Sequence, residues 1–193
     1  MTVELAEIAR YMRMGRTVPE GALAERVVKL REEALKSIRP VRTWMRFPVA
    51  DSVIGTGEER LDISGQLAMH MSGCHDAYLV CGTLGPGFDV FQRRVSVFSG
   101  ADALIAQALG AALIEKYMDM VEDEIRLELL PGESLVKRYS PGYGDFPLAA
   151  QRTLFALIDA TRKVGVALTD TLLMVPSKSV SAVIGVRKGG ETE

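Results

Sequence analysis

"VALTDTLLMVPSKSVSAVIGV", residues 166–186, holds two β-rich apolar runs separated by "PSKS". Four residues are too few for the crossover that parallel neighbours need, so the runs are expected to pair as an antiparallel hairpin. Upstream, "LAAQRTLFALIDATRKVG" (148–165) has helical periodicity and a glycine stop. "ADALIAQALGAALIEKYMDMVEDEIRLELL" (101–130) is the longest helical pattern of the chain, and "PGFDVFQRRVSVF" (86–98) is a shorter one. The long pattern carries a stripe of Leu104, Ala108, Ala111, Ala112, Ile114, Met118, Val121 and Ile125, with small residues near Gly110 that imply close packing. "DAYLVCGTLG" (76–85) is an apolar run short enough for a buried strand, and "VRTWMRFPV" (41–49) alternates as a half-exposed one. Between them, 51–64 reads as a loop with a short strand or two, and "SGQLAMHMSGC" as a compact helix. Two amphipathic helices, at 3–14 and 20–38, precede all of this, the second ended by Pro40. The fold class these elements predict is α+β, with a mixed, largely antiparallel twisted sheet and flanking helices.

The 193 residues suit one well-cored domain of ordinary size. We expect an N-terminal helical segment at 1–45 packed on a domain at 46–187, with a flexible tail at 188–193. The 48% hydrophobic and 25% charged composition is that of a folding globular chain. With 23 basic against 25 acidic residues, scattered together, there is no electrostatic footprint for a nucleic acid. No apolar run is long enough to span a membrane, and the N-terminus lacks the order of a signal peptide, so a cytoplasmic protein without a membrane partner is expected.

Both histidines and both cysteines, His70, Cys74, His75 and Cys81, fall within twelve residues. Their spacing is not that of a zinc knuckle, and placement in a core or on a surface accounts for them better; no metal site is expected. "GTLGPGFD" (82–89) follows a strand and opens a helix, a context for an anion or for a tight turn. It lacks the lysine of a phosphate-binding loop, which favours the turn. Glu115, on the small-residue side of the long helix, is either a partner for a ligand's cation or a solvated acid.

"RYSPGYGDFP" (138–147) combines two prolines, two glycines, two tyrosines, a phenylalanine and an arginine between helical segments. Arg138 offers a planar fork for a carboxylate, Pro141 and Gly142 shape the backbone, and Tyr143 presents a ring to something flat or cationic. Such a loop suits a zwitterionic ligand, and equally it suits a stiff connection stapling two helices.

The ordered run of an R-x-x-P-G-Y loop, a helix, an "LTDTLLM" strand and an "SVS" hairpin resembles the S-adenosylmethionine-binding activation domain of vitamin B12-dependent methionine synthase. "CHDAYLVCGTLGPGFD" and "ALGAALIEKYMDMVEDEI" resemble its short, free-standing bacterial members, and the similarity spans about 65–187. It implies the methionine synthase activation domain fold. It also implies a module that supports reductive methylation of cob(II)alamin on a corrinoid-binding protein or split methionine synthase, with flavodoxin or another reductant as electron source. The cofactors implied are S-adenosylmethionine and a cobalamin held by the partner. Carried over, Arg138 holds the ligand's carboxylate, the backbone at Ser140 and Gly142 contacts it, Tyr143 packs on it and Glu115 meets its amino group. The family's second acid before the arginine has Glu133 as its nearest counterpart here, and a tyrosine of the last strand is replaced by Ile184. The chain is therefore expected to be a component of a methyltransferase activity rather than a complete enzyme. A non-catalytic adaptor of a corrinoid protein with a degenerate site is the alternative, and a small independent methyltransferase a weaker third.

Overall fold

The computed structural model describes residues 1–15, 17–55, 57 and 59–188. In chain order the elements are α1 (Leu5–Tyr11), α2 (Gly21–Ser37), β1 (Val41–Ala50), β2 (Val53–Ile54), β3 (Leu61–Asp62), α3 (Gly65–His70) and β4 (Cys74–Thr83). There follow α4 (Pro86–Phe98), α5 (Gly100–Arg126), β5 (Glu133–Leu135), α6 (Ala150–Ile158), α7 (Ala160–Val164), β6 (Ala167–Leu168), β7 (Met174–Val175) and β8 (Ser179–Lys188). Six strands form one sheet in the order β3-β2-β1-β4-β8-β5, and every pairing in it is antiparallel rather than mixed. The boundary drawn between residues 45 and 46 falls inside β1, which pairs with β4 from Val41 to Pro48. Of the tail drawn at 188–193, Lys188 closes β8 and the rest lies outside the described residues.

β4 and β8 are apolar along their length because both faces of the sheet are covered. Tyr78, Val80, Ala182 and Ile184 face a core built with α1, α2, α4 and α5. Ala77, Leu79, Cys81 and Val183 face a second core made with α3, α6 and α7. Burying one such side chain contributes about 1.5–3 kcal/mol, which makes these two central strands the stability centre of the sheet. β1 reads as alternating because only β4 pairs with most of it, leaving its outer edge to Arg42, Arg46 and Pro48, residues that discourage further pairing.

α5 starts where the Ser99 hydroxyl accepts the Asp102 N–H, and Arg26 of α2 pairs with the Asp102 carboxylate, tying two helix ends together. Close packing at Gly110 is present: a methyl there would lie 2.6 Å from the Phe88 ring and 2.5 Å from Lys178 Cε. Leu104, placed in the apolar stripe of this helix, is instead exposed. "GTLGPGFD" is a turn. The Gly85 N–H is donated to Thr83 Oγ1 and the Leu84 N–H to the Lys178 carbonyl, and a side chain at Gly87 would collide with the Ser37 carbonyl. Its glycines serve the approach of α4 to the end of α2.

Two expectations fail. The helix over 148–165 is broken at Asp159, which adopts a left-handed conformation (φ 53°) and pairs with Arg162. The hairpin across "PSKS" does not form, and β7 pairs with β6 instead. The turn lies at 169–173, where the Leu173 N–H reaches Thr169 Oγ1 and the Thr169 N–H reaches the Leu173 carbonyl. "PSKS" is a crossing fastened to α4, since the Ser177 N–H and hydroxyl both donate to the Asp89 carboxylate.

Candidate functional site

After β5 the chain continues along the edge of β8. The Val136 N–H donates to the Gly185 carbonyl, and Tyr139 and Val183 exchange both backbone hydrogen bonds. The pairing slips by one residue between Leu135, opposite Val186, and Tyr139, opposite Val183, which breaks strict alternation: Val136 and Tyr139 both pack on the α3 and α6 side while Arg138 turns to α5. There it meets Glu115, Asp119 and Glu122, which the helical spacing i, i+4, i+7 stacks on one face. Arg138 Nη2 donates to Glu115 Oε2 at 2.5 Å and Nη1 to Asp119 Oδ1 at 2.9 Å, and Nη1 also pairs with Glu122. Burial disfavours the charged guanidinium, but the bonds to Glu115, Glu122 and Asp119 outweigh it and hold Arg138 more firmly protonated than usual. Arg138 faces three carboxylates, of which Glu122 also takes a longer bond from Arg126 at 3.3 Å, so acids outnumber cations in the cluster.

A cavity of about 260 Å³ opens beside this cluster. Glu115, Arg138, Ser140 and Tyr143 line it, with Tyr139 and Pro141 of the same loop, Gln151 of α6, Met174 of β7 and Ser179 to Ser181 of β8. Four of the five residues singled out in the sequence are thus brought together. Gly142 stands behind the wall, its N–H donated to the Phe146 carbonyl within the loop. Asp119 and Glu122 escaped the sequence reading, although their spacing from Glu115 was there to be read. Ser179 and Ser181 had no local signal, because only the sheet register carries them to the loop.

Ile184 is fully buried in the core shared with α5 and is not part of the cavity wall. Glu133 belongs to another cluster: Arg46 Nη2 donates to Glu133 Oε1 at 2.6 Å, Arg46 Nε donates to Asp76, and His75 Nε2 lies 3.0 Å from Glu133 Oε1. His75, Asp76 and Glu133 are close enough to share an ion, but the Arg46 guanidinium already occupies their oxygens. The grouping of His70, Cys74, His75 and Cys81 does not converge. His70 lies against Tyr139, and the buried Cys81 has its thiol pushed up to about 12 by desolvation.

Hydrogen bonding from Arg46, opposed by burial and aided by the Leu130 N–H and His75, holds the Glu133 carboxyl at about 2. A depressed carboxyl contributes stability above its ordinary value of 4.5, and the contribution is lost as pH falls from there toward 2. Thermal melts taken across that interval should therefore show a falling midpoint for the native chain and a shallower fall for Glu133→Gln. Parallel curves would place the acid sensitivity elsewhere.

In the comparisons, residues 101–190 match the family model described as vitamin B12 dependent methionine synthase, activation domain. That segment carries α5, the Arg138 loop and β8. No curated protein matches the chain in sequence. Among solved structures, the crystal structure of the MetH reactivation domain bound to AdoHcy superposes with a TM-score of 0.66 at 14% identity, covering 99% of this chain and 76% of that one. At that identity the likeness speaks for the fold, and it extends to α1 and α2 as well as to the matched segment. The cavity-forming segment thus lies inside the family pattern of the vitamin B12 dependent methionine synthase activation domain, and the whole length of the chain has the reactivation-domain fold.

Proposed function

We propose that the chain binds S-adenosylmethionine in the Arg138 cavity and presents it to a corrinoid held by a partner protein. The observation that carries this reading is the convergence of a guanidinium, an acid, hydroxyls and two tyrosines on one cavity within the segment that matches the family. The donor set fits a sulfonium amino acid. Arg138 supplies a fork for the carboxylate, Glu115 an acceptor for the ammonium, and Tyr143 and Tyr139 rings for a flat or cationic group. When bound, S-adenosylmethionine supplies an activated methyl group for one-electron reductive methylation of cob(II)alamin on the partner, and flavodoxin or a similar reductant supplies the electron. The protein's own part is binding and orientation.

Glu115 occupies Arg138 in the free protein, and its side chain is 38% exposed, so it has room to turn. Insertion of a zwitterion between the two exchanges one ion pair for two: the ligand's carboxylate takes Nη2 and its ammonium takes Glu115. Glu115→Gln should weaken S-adenosylmethionine about fivefold, on the order of 1 kcal/mol, and leave a des-amino analogue unchanged. Equal losses for the two ligands would separate Glu115 from the ammonium.

Calorimetric titration with S-adenosylmethionine tests the reading as a whole. Saturable binding of one equivalent is expected, and absence of binding with and without the corrinoid partner would overturn it. One observation favours a second reading, a ligand-free adaptor: Arg138 is fully engaged by the chain's own acids. Tight partner binding that S-adenosylmethionine leaves unaltered would support that alternative.

A further inference from the structure

The loop 138–147 is fastened to α3 at three points. The Asp145 carboxylate accepts the Gln66 N–H at 2.9 Å and 3.2 Å, doing for the first turn of α3 what no side chain of the preceding Ser64 does. The Tyr139 hydroxyl donates to Gln66 Oε1 at 3.2 Å. His70 Nε2 lies 2.5 Å from the Lys137 carbonyl, one residue before Arg138, and its ring stacks on Tyr139 at 5.0 Å. Two glycines make the approach possible. A side chain on Gly144 (φ 54°) would collide with Gln66 and the Tyr139 hydroxyl, and one on Gly65 (φ 55°) with Asp145. Each surface thus yields a Cβ where the other inserts a polar group. The remaining contacts of the loop run inward: Tyr139 lies 6.3 Å from Tyr143 and 6.2 Å from the buried Phe146.

A plain connection between β5 and α6 needs none of this. From the interlock we infer that α3 is the backstop of the binding loop, and that Asp145, Gln66 and His70 are positioning residues which hold Arg138, Tyr139 and Tyr143 in their cavity-forming arrangement before any ligand arrives. None of the three lines the cavity, so they act through the loop. The inference rests on the reading of the cavity as an S-adenosylmethionine site. A loop ordered in advance does not have to be ordered during binding, and the gain appears in affinity rather than in fold stability.

The test pairs a ligand-free and a ligand-bound measurement on the full chain, for the native sequence, Asp145→Ala, Asp145→Asn and His70→Ala. Hydrogen exchange of the amides at 139–146 without ligand should accelerate about tenfold or more in Asp145→Ala and His70→Ala, as expected when a local rather than a global opening becomes easier. Exchange in β4 and β8 should not change. Asp145→Asn retains an acceptor for the Gln66 N–H and should restore slow exchange. In calorimetry, S-adenosylmethionine should bind about tenfold more weakly to the two alanine variants, with most of the loss in entropy, while their melting midpoints stay near that of the native chain. Unchanged loop exchange overturns the interlock whatever the ligand does. Faster exchange with unaltered affinity overturns the positioning role, and a native chain that takes no ligand overturns the site reading together with the inference built on it.

Discussion

Arg138→Ala is expected to weaken S-adenosylmethionine binding by roughly 2–4 kcal/mol, or about thirtyfold to a thousandfold, in calorimetric titration at neutral pH. The guanidinium is only 20% exposed, so the ligand's carboxylate would meet a partly dry fork, and among the described residues that line the cavity Arg138 is the one cation. A second consequence separates this variant from a simple loss of contact. Without the arginine, Glu122, 10% exposed, keeps only its longer contact to Arg126 at 3.3 Å, and it remains beside Glu115 and Asp119, so three like charges repel one another. The variant should therefore melt lower than the native chain at neutral pH. Arg138→Lys should fall between, since an ammonium restores the charge but not the fork that reaches several carboxylates at once. Arg162→Ala, which removes an exposed partner of Asp159, is the control and should leave the affinity unchanged. An Arg138→Ala affinity within twofold of native would remove the arginine from the ligand.

Local pattern reading recovered the elements whose burial is itself periodic. β4 was legible because "DAYLVCGT" is apolar without interruption, and α5 because its stripe persists over many turns. The failures fall where a distant residue decides. "PSKS" has turn composition, yet Asp89 claims the Ser177 amide and hydroxyl, and nothing within those four residues announces a partner on α4. The break at Asp159 is equally hidden: the sequence continues in helical periodicity, and a left-handed aspartate is tolerated where its carboxylate finds Arg162.

At the candidate site, legibility followed chemistry. Arg138 and Tyr143 stood out because a connecting loop rarely concentrates such residue types, Glu115 because of its place on the long helix, and the family resemblance then gave Glu115 and Ser140 their expected roles. Asp119 and Glu122 resemble any solvated acids on a charged helix end until the arginine is placed against them. Glu133, the nearest counterpart of the family's second acid, is held instead by Arg46 and His75. Glu133 and Arg138 lie on the same side of the sheet and are parted along the edge of β8, with Glu133 opposite Lys188 and Tyr139 opposite Val183.

Phe88→Ala is expected to have the largest effect on stability, about 3–5 kcal/mol for removal of a fully buried ring. For a chain of this length that corresponds to a fall of roughly 6–20 °C in melting midpoint, against almost none for the exposed Phe98→Ala. The size of the effect depends on whether the space can collapse, and Gly110 offers a way to measure that. In the native chain a methyl at Gly110 would press on both the Phe88 ring and Lys178 Cε, so Gly110→Ala alone overpacks the contact between α4 and α5. Of the three nearest atoms, removal of the ring leaves Lys178 Cε, and that flexible chain can shift by rotation while its ammonium keeps the bond to Gln107. The added methyl then fills part of the void and also gains about 1 kcal/mol of helix propensity. Gly110→Ala should thus destabilise the native background and stabilise the Phe88→Ala background, a coupling that a double-mutant cycle of melting curves would read directly. Additive effects would mean that α4 moves in to close the space, and that the packing of α4 on α5 is set by the turn at Gly87 rather than by the ring.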